Sequence, residues 1–337
     1  MQSRKTSAVD FALGAGLGIL FFLVVYGVST LNVAYDSWIY SGYIEMDILQ
    51  SHGGWLYFRN AEWSWPLTVA DNLAIPLGSS IAFTDSIPLV AVLCTVFAPL
   101  LPATFQYFGW YNLLCCGLQG GFAMLLLRHF GLRRAYSGVA SVFFVSMPVL
   151  VERLFRHSAL SSQWMVLAAL LLYFRARRTG RLPVAGFAVL CALAPAIHTY
   201  FVPMVYAILL AATLEYVFKN KKILRPGLYF GLCLFATVAV AYVFGILTRG
   251  GDGAAGGFGG YSMNLNALFN PRSFDWFAED ITLRWSWLLP VQLQFYRQYD
   301  GFNYLGLGVL AGIILMAGYG VWRLVGVLRR GDRRPLQ

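Results

Sequence analysis

Ser86 to Pro102, "SIPLVAVLCTVFAPLLP", is the stretch on which the fold turns. It is apolar enough to look like a membrane crossing, yet it is short and holds Pro88, Pro99 and Pro102. Counted as a full crossing, it places the basic runs 128–134 (RHFGLRR), 175–181 (RARRTGR) and 219–222 (KNKK) outside the membrane. Counted as an interfacial or re-entrant segment, it places all three inside, together with Arg4, Lys5 and the C-terminal RRGDRR. On the second count the inner segments hold 18 Lys/Arg and 3 Asp/Glu (Asp10, Glu215 and Asp332), and the outer segments 7 and 12. Loops rich in Lys and Arg stay on the cytoplasmic side of a membrane protein. The second count is therefore adopted, with both termini cytoplasmic.

The rest of the chain fits a membrane protein. Of 337 residues, 58% are hydrophobic and only 12% charged, against about 25% charged in a typical soluble domain. Apolar runs such as 11–28 and 307–322 approach or reach the roughly 18 residues that read as a membrane span. The expected fold is an all-α polytopic membrane protein with about eight transmembrane helices, near 9–31, 106–127, 135–151, 159–174, 182–198, 199–218, 226–247 and 303–326. It forms one membrane domain over 1–337. A long first outer loop (32–105) carries interfacial or re-entrant helices, a second outer loop covers 248–302, and 327–337 is a cytoplasmic tail. The net charge of +10 does not point to nucleic acid, because the basic residues sit in short loops beside spans, where they act as topology signals. The five cysteines all fall in apolar stretches without metal-ligand spacing and read as packing residues.

On this topology the polar side chains with chemical potential gather on the outer face. Intramembrane or membrane-edge ionisable groups are costly and mark sites or pathways. The stretch 43–59, "YIEMDILQSHGGWLYFR", reads as a helix along the outer surface. It presents Asp47, with Gln50 and Ser51 on the same face at i, i+3 and i+4. Glu45 and Asp47 allow two chemistries. One is a general base that takes a proton from an acceptor hydroxyl. The other is Mg²⁺ or Mn²⁺ held by hard oxygen ligands. Arg59, Arg153 and Arg156 could bind a lipid-linked phosphate. His157 and His198 lie at outer span ends, and Asp85 in "TDSIP" is a second acid. Charges that simply face water are the plain alternative. Neither a G-x-S-x-G elbow nor an H-E-x-x-H, C-x-x-C or Walker sequence is present.

Several stretches together resemble the GT-C superfamily of membrane glycosyltransferases that use polyprenyl-phosphate sugars, and in particular a bacterial family of uncharacterised integral membrane proteins of that type. They are "DILQSHGGWLYFR" (47–59), "PLGSSIAFTDSIPL" (76–89), "FQYFGWYNLLCCGLQGGFA" (105–123), "RLFRHSALSSQWMVLAALLLYFR" (153–175), "GGYSMNLNALFNP" (259–271) and "YDGFNYLGLG" (299–308). The resemblance implies a polyprenyl-phosphate-linked sugar as donor, a cell-envelope glycan or protein as acceptor, and an active face on the periplasmic side of a bacterial inner membrane. It implies Asp47 as the catalytic acid of the first loop, with Glu45 completing an acidic-x-acidic pattern. Asp85, Arg59, Arg156, His157, His198 and Gln50 would hold substrate, and Glu45 with Asp47 a metal. Many GT-C enzymes carry a periplasmic C-terminal domain, and this chain stops about ten residues after its last expected span. The alternative is a non-enzymatic GT-C-like scaffold: a lipid-linked glycan transporter or a partner subunit in cell-envelope polysaccharide assembly.

Overall fold

The computed structural model describes residues 4–41, 46–247, 268–269 and 305–330. The chain divides into two units, Met1–Asp252 and Gly253–Gln337. In the first, helix α1 (Arg4–Tyr26) leads to α2 (Met46–Arg59), a two-stranded hairpin of β1 (Val69–Ala70) and β2 (Ser79–Ser80), and α3 (Pro88–Thr95). Helices α4 (Phe108–His129), α5 (Arg134–Val145), α6 (Pro148–Arg153), α7 (Trp164–Thr179), α8 (Val184–Ile197), α9 (Phe201–Asn220) and α10 (Leu224–Val243) follow. The second unit contributes α11 (Leu307–Arg330), entered through Gly306 in the left-handed region at φ +86°.

Among the described residues, six helical segments are long and apolar enough to cross a membrane: 6–26, 108–129, 158–179, 201–220, 224–243 and 307–327. The chain is thus a helical, multi-pass membrane protein. Two of the eight expected spans fall short. The segment expected to cross at 135–151 is broken. Helix α5 stops at Val145, Met147 is extended (φ −64°, ψ 139°), and Pro148 starts the six-residue α6. The residue before proline is driven out of the helical region by clash with the ring, which accounts for the break. Helix α8 is apolar but has 14 residues, about 21 Å at 1.5 Å per residue. Within 86–102, α3 has eight residues and is followed by a 3₁₀ turn at Ala98–Leu100. At about 12 Å α3 cannot cross a core of about 30 Å.

Chain threading puts the ends of α4, α7 and α9 at one end of the first unit, where the basic runs lie. Phe174 near the end of α7 meets Phe130 just after α4, ring to ring at 4.8 Å. Two ion-pair groups sit at this end. Asp10 of α1, fully buried, accepts from Arg128 at 3.0 Å and Arg134 at 2.6 Å. Glu215 of α9 accepts from Arg177 at 2.8 Å and Lys219 at 2.5 Å. A carboxylate on an apolar helix keeps its charge only when paired, and both of these acids are.

At the opposite end the chain between α1 and α4 folds over the bundle. Gln106, fully buried, binds it down. Its backbone N–H donates to Val33 O at 2.8 Å, its Nε2 donates to Thr30 O at 2.8 Å and Asn32 O at 3.1 Å, and its Oε1 accepts from Gly109 N at 3.1 Å. Trp55 of α2 is fully buried against Phe105 and Tyr107 and donates from Nε1 to Phe105 O at 3.0 Å. A buried indole N–H needs such a partner. Arg59, in the last turn of α2, donates to the carbonyls of Ala98, Leu101, Pro102 and Ala103 at 2.8–3.3 Å. It also lies 5.7 Å from the Trp55 ring centroid. This one guanidinium gathers the carbonyls around the end of the 3₁₀ turn after α3, two of which, Ala98 O and Pro102 O, also accept backbone N–H groups.

Candidate functional site

The site lies at the end of the first unit remote from the basic runs, and two carboxylate–histidine pairs define it. Asp47 stands in the first turn of α2, where the helix dipole suits an anion. Its Oδ2 is 3.1 Å from Nδ1 of His157, with the side chains 46% and 23% exposed. Phe155, two residues before His157, is in the left-handed region at φ +65°. Few bulky residues adopt that conformation. Here the Phe155 ring packs on Phe22, Tyr26 and Trp38 at 5.8, 5.0 and 5.3 Å. This aromatic pocket, two of its three rings supplied by α1, holds the turn that carries His157 toward Asp47.

The second pair joins Asp85 to His198, Oδ1 to Nε2 at 3.0 Å, with side chains 38% and 8% exposed. His198 follows the last residue of α8. Its Nδ1 accepts the Tyr200 backbone N–H at 3.1 Å, so the ring proton sits on Nε2 and is donated to Asp85. With both nitrogens engaged, His198 orients the Asp85 carboxylate and has no lone pair left for a substrate proton. Asp85 and Ile87 are both left-handed, at φ +54° and +50°. Neighbours on every side hold this strained turn. Gln50 Nε2 donates to Phe83 O at 3.2 Å, Ser86 Oγ donates to Ser51 O at 2.6 Å, and the Tyr107 hydroxyl donates to Ser86 O. Non-glycine residues held in this region cluster at functional sites.

Arg156, half-buried, adjoins His157. Gln50 and Arg59, both expected to hold substrate, make structural contacts instead: Gln50 ties α2 to the Phe83 turn, and Arg59 clamps the 98–103 carbonyls. Arg59 therefore has little donor capacity for a phosphate. Glu45, together with the residues of 248–267 and 270–304 that include Asn264, Glu279, Asp280 and Arg284, lies outside the described residues. Among the described residues no group of three or more His, Cys, Asp or Glu gathers as a metal site, so a metal at Asp47 would need ligands such as Glu45. Tyr200, Tyr107 and Ser86 escaped the sequence reading because each of these contacts has a backbone atom on one side, which leaves no pairing signature in the sequence.

His52 lies on α2 between Tyr40 and Phe108 and is fully buried. The Tyr40 hydroxyl meets its Nδ1 at 2.8 Å, and its Nε2 has no hydrogen-bond partner among the described residues. Burial pushes its pKa below the ordinary 6.5, outweighing the Asp36 carboxylate and the Phe105 carbonyl, which pull the other way. The unfolded chain then binds a proton near pH 6.5 that the folded chain refuses. The stabilising effect is whole above pH 6.5 and is lost as pH falls toward the folded value. Thermal melting in detergent should drop as pH falls through and below about 6.5, the unfolded value, and His52→Gln should flatten part of that drop. An unchanged profile in His52→Gln would show that His52 does not carry the effect.

Fold and site thus define a mostly helical membrane protein with paired acids and histidines at one end of the bundle of its first unit. The chain belongs to the family described as Domain of unknown function (DUF6311), whose family model matches residues 15–336. No curated protein and no solved structure matches it.

Proposed function

We propose that this protein is a membrane glycosyltransferase that takes a sugar from a polyprenyl-phosphate donor and passes it to an acceptor hydroxyl on the periplasmic face of a bacterial inner membrane. The Asp47–His157 contact carries this reading. It joins a carboxylate of the loop after α1 to an imidazole at the head of α7, with both side chains partly exposed. In the reaction the acceptor oxygen attacks the anomeric carbon and its proton passes to Asp47. The bond between that carbon and the phosphate oxygen breaks, and polyprenyl phosphate leaves with the electron pair, inverting the anomeric centre. His157 holds Asp47 in place. Arg156 faces the leaving phosphate, since a guanidinium matches phosphate geometry. Asp85, held by His198, is placed to accept from sugar hydroxyls. The periplasmic assignment is supported by the concentration of Arg128, Arg134, Arg177 and Lys219 at the other end, as the positive-inside rule requires of a cytoplasmic face.

The test is turnover by the full chain in lipid nanodiscs. A panel of polyprenyl-phosphate sugars is supplied with a cell-envelope extract, with and without EDTA. Release of polyprenyl phosphate from one donor is expected, and the EDTA arm separates a base from a metal ligand. Absence of release from every donor would sink the transferase reading and favour a glycan transporter or partner subunit.

A further inference from the structure

The hairpin after α2 carries large apolar side chains that stand mostly in the open. Trp63, Trp65, Ile75 and Leu77 are exposed, Leu77 at 89%. Its base is bolted to the end of α10. Leu67 N donates to Val243 O at 2.9 Å, Ser80 Oγ donates to Phe244 O at 3.1 Å, and Thr68 Oγ1 donates to the same Phe244 carbonyl. The strands pair Val69 with Ser80 and Ala70 with Ser79. Helix α10 has 20 residues, about 30 Å at 1.5 Å per residue. That equals the hydrocarbon thickness, so whatever is fixed to its end sits at the membrane–water boundary.

A second observation gives the direction. Leu228, Leu232, Phe235, Val238 and Tyr242 are exposed along α10, at spacings that place them on one stripe. The stripe ends at Tyr242, whose ring meets Trp65 edge to face at 5.9 Å. Trp65 therefore continues the apolar wall of α10, while Ala70 and Leu73 on the other side of the hairpin pack into the core. Tryptophan favours the headgroup level, where its ring is apolar and its N–H wet. Residues 60–80 contain Glu62 and Asp71 and no Lys or Arg, so anionic lipid would add no attraction.

We propose that this hairpin is a lipid-seated tongue, with Trp65, Ile75 and Leu77 in the headgroup–acyl boundary of the leaflet at the end of α10 and zwitterionic phospholipid as its partner. The inference does not depend on the transferase reading. To test it, the full chain is labelled with an environment-sensitive fluorophore at Leu77→Cys or Ile75→Cys, in a Cys94→Ser background. The other four cysteines are buried. Asp71→Cys, exposed at the end of β1, is the control. In phosphatidylcholine nanodiscs the labels at 75 and 77 should be quenched by shallow spin-labelled lipid and shielded from aqueous iodide, at a depth of about 5–10 Å. The control should show the reverse pattern, and adding anionic lipid should change neither. Iodide quenching at 75 and 77 equal to that at 71 overturns the proposal. So does shielding from both quenchers, which would mean that protein covers the tongue.

Discussion

Asp47→Asn should abolish donor turnover while leaving the protein folded. General-base catalysis contributes about 10²–10⁴-fold, and asparagine keeps the shape of the side chain but cannot take the proton. The stability cost is small because Asp47 and His157 are both partly exposed, and solvent-exposed pairs contribute about 0–1 kcal/mol. His157→Gln tests the division of labour. If His157 acts only by holding Asp47, it loses part of the rate, and the double variant is no slower than Asp47→Asn alone. Groups that act as one unit are non-additive in this way. Losses that multiply would give His157 its own role, with Asp47 no longer the single proton acceptor. Wild-type turnover in Asp47→Asn would remove Asp47 from the chemistry.

The charge pattern along the chain carried much of the architecture. The two described acids expected at the basic end, Asp10 and Glu215, each bind two cations there. That agreement has a physical basis, since a carboxylate in an apolar segment must find cations and the cations were already concentrated in those loops. The helical break at Met147–Pro148 was also legible in principle. Hydropathy over 135–151 concealed it because Pro148 is itself an apolar residue. The site was legible only as a set of residues. Asp47, Asp85, His157 and His198 were all named, but their sorting into two pairs depends on where α2 and the Asp85 turn land relative to the turn before α7 and the C-terminal end of α8. No spacing rule encodes that. Arg59 shows the limit most clearly. Its partners are four backbone carbonyls, which leave no side-chain signature, so an arginine beside acids read as a phosphate ligand.

Gly18→Ala should be among the most damaging small substitutions for folding. A Cβ at Gly18 of α1 would lie 2.0 Å from the Cys116 carbonyl oxygen and 2.7 Å from its carbon, both backbone atoms of α4. One turn earlier, a Cβ at Gly14 would lie 2.4 Å from Gly120 O. Small residues at i and i+4 let two helices in a membrane approach this closely, and no rotamer change can relieve a clash with backbone. The helices must separate, which also loses dispersion contacts along the crossing. Overpacking alone costs about 1–3 kcal/mol, a large share of a total stability near 5–15 kcal/mol. Gly16 supplies the control: it shares the helix and its Cβ would meet nothing within 4 Å. Gly16→Ala should be neutral or slightly stabilising, since alanine is the better helix former by about 1 kcal/mol. Size-exclusion profiles and melting curves of the two variants compare them directly, and equal behaviour would refute the α1–α4 crossing. The effect should reach the site as well. Phe22 and Tyr26, one and two turns beyond Gly18, wall the Phe155 pocket that aims His157 at Asp47. Any Gly18→Ala protein that does fold should therefore turn over donor more slowly than its melting temperature alone would suggest.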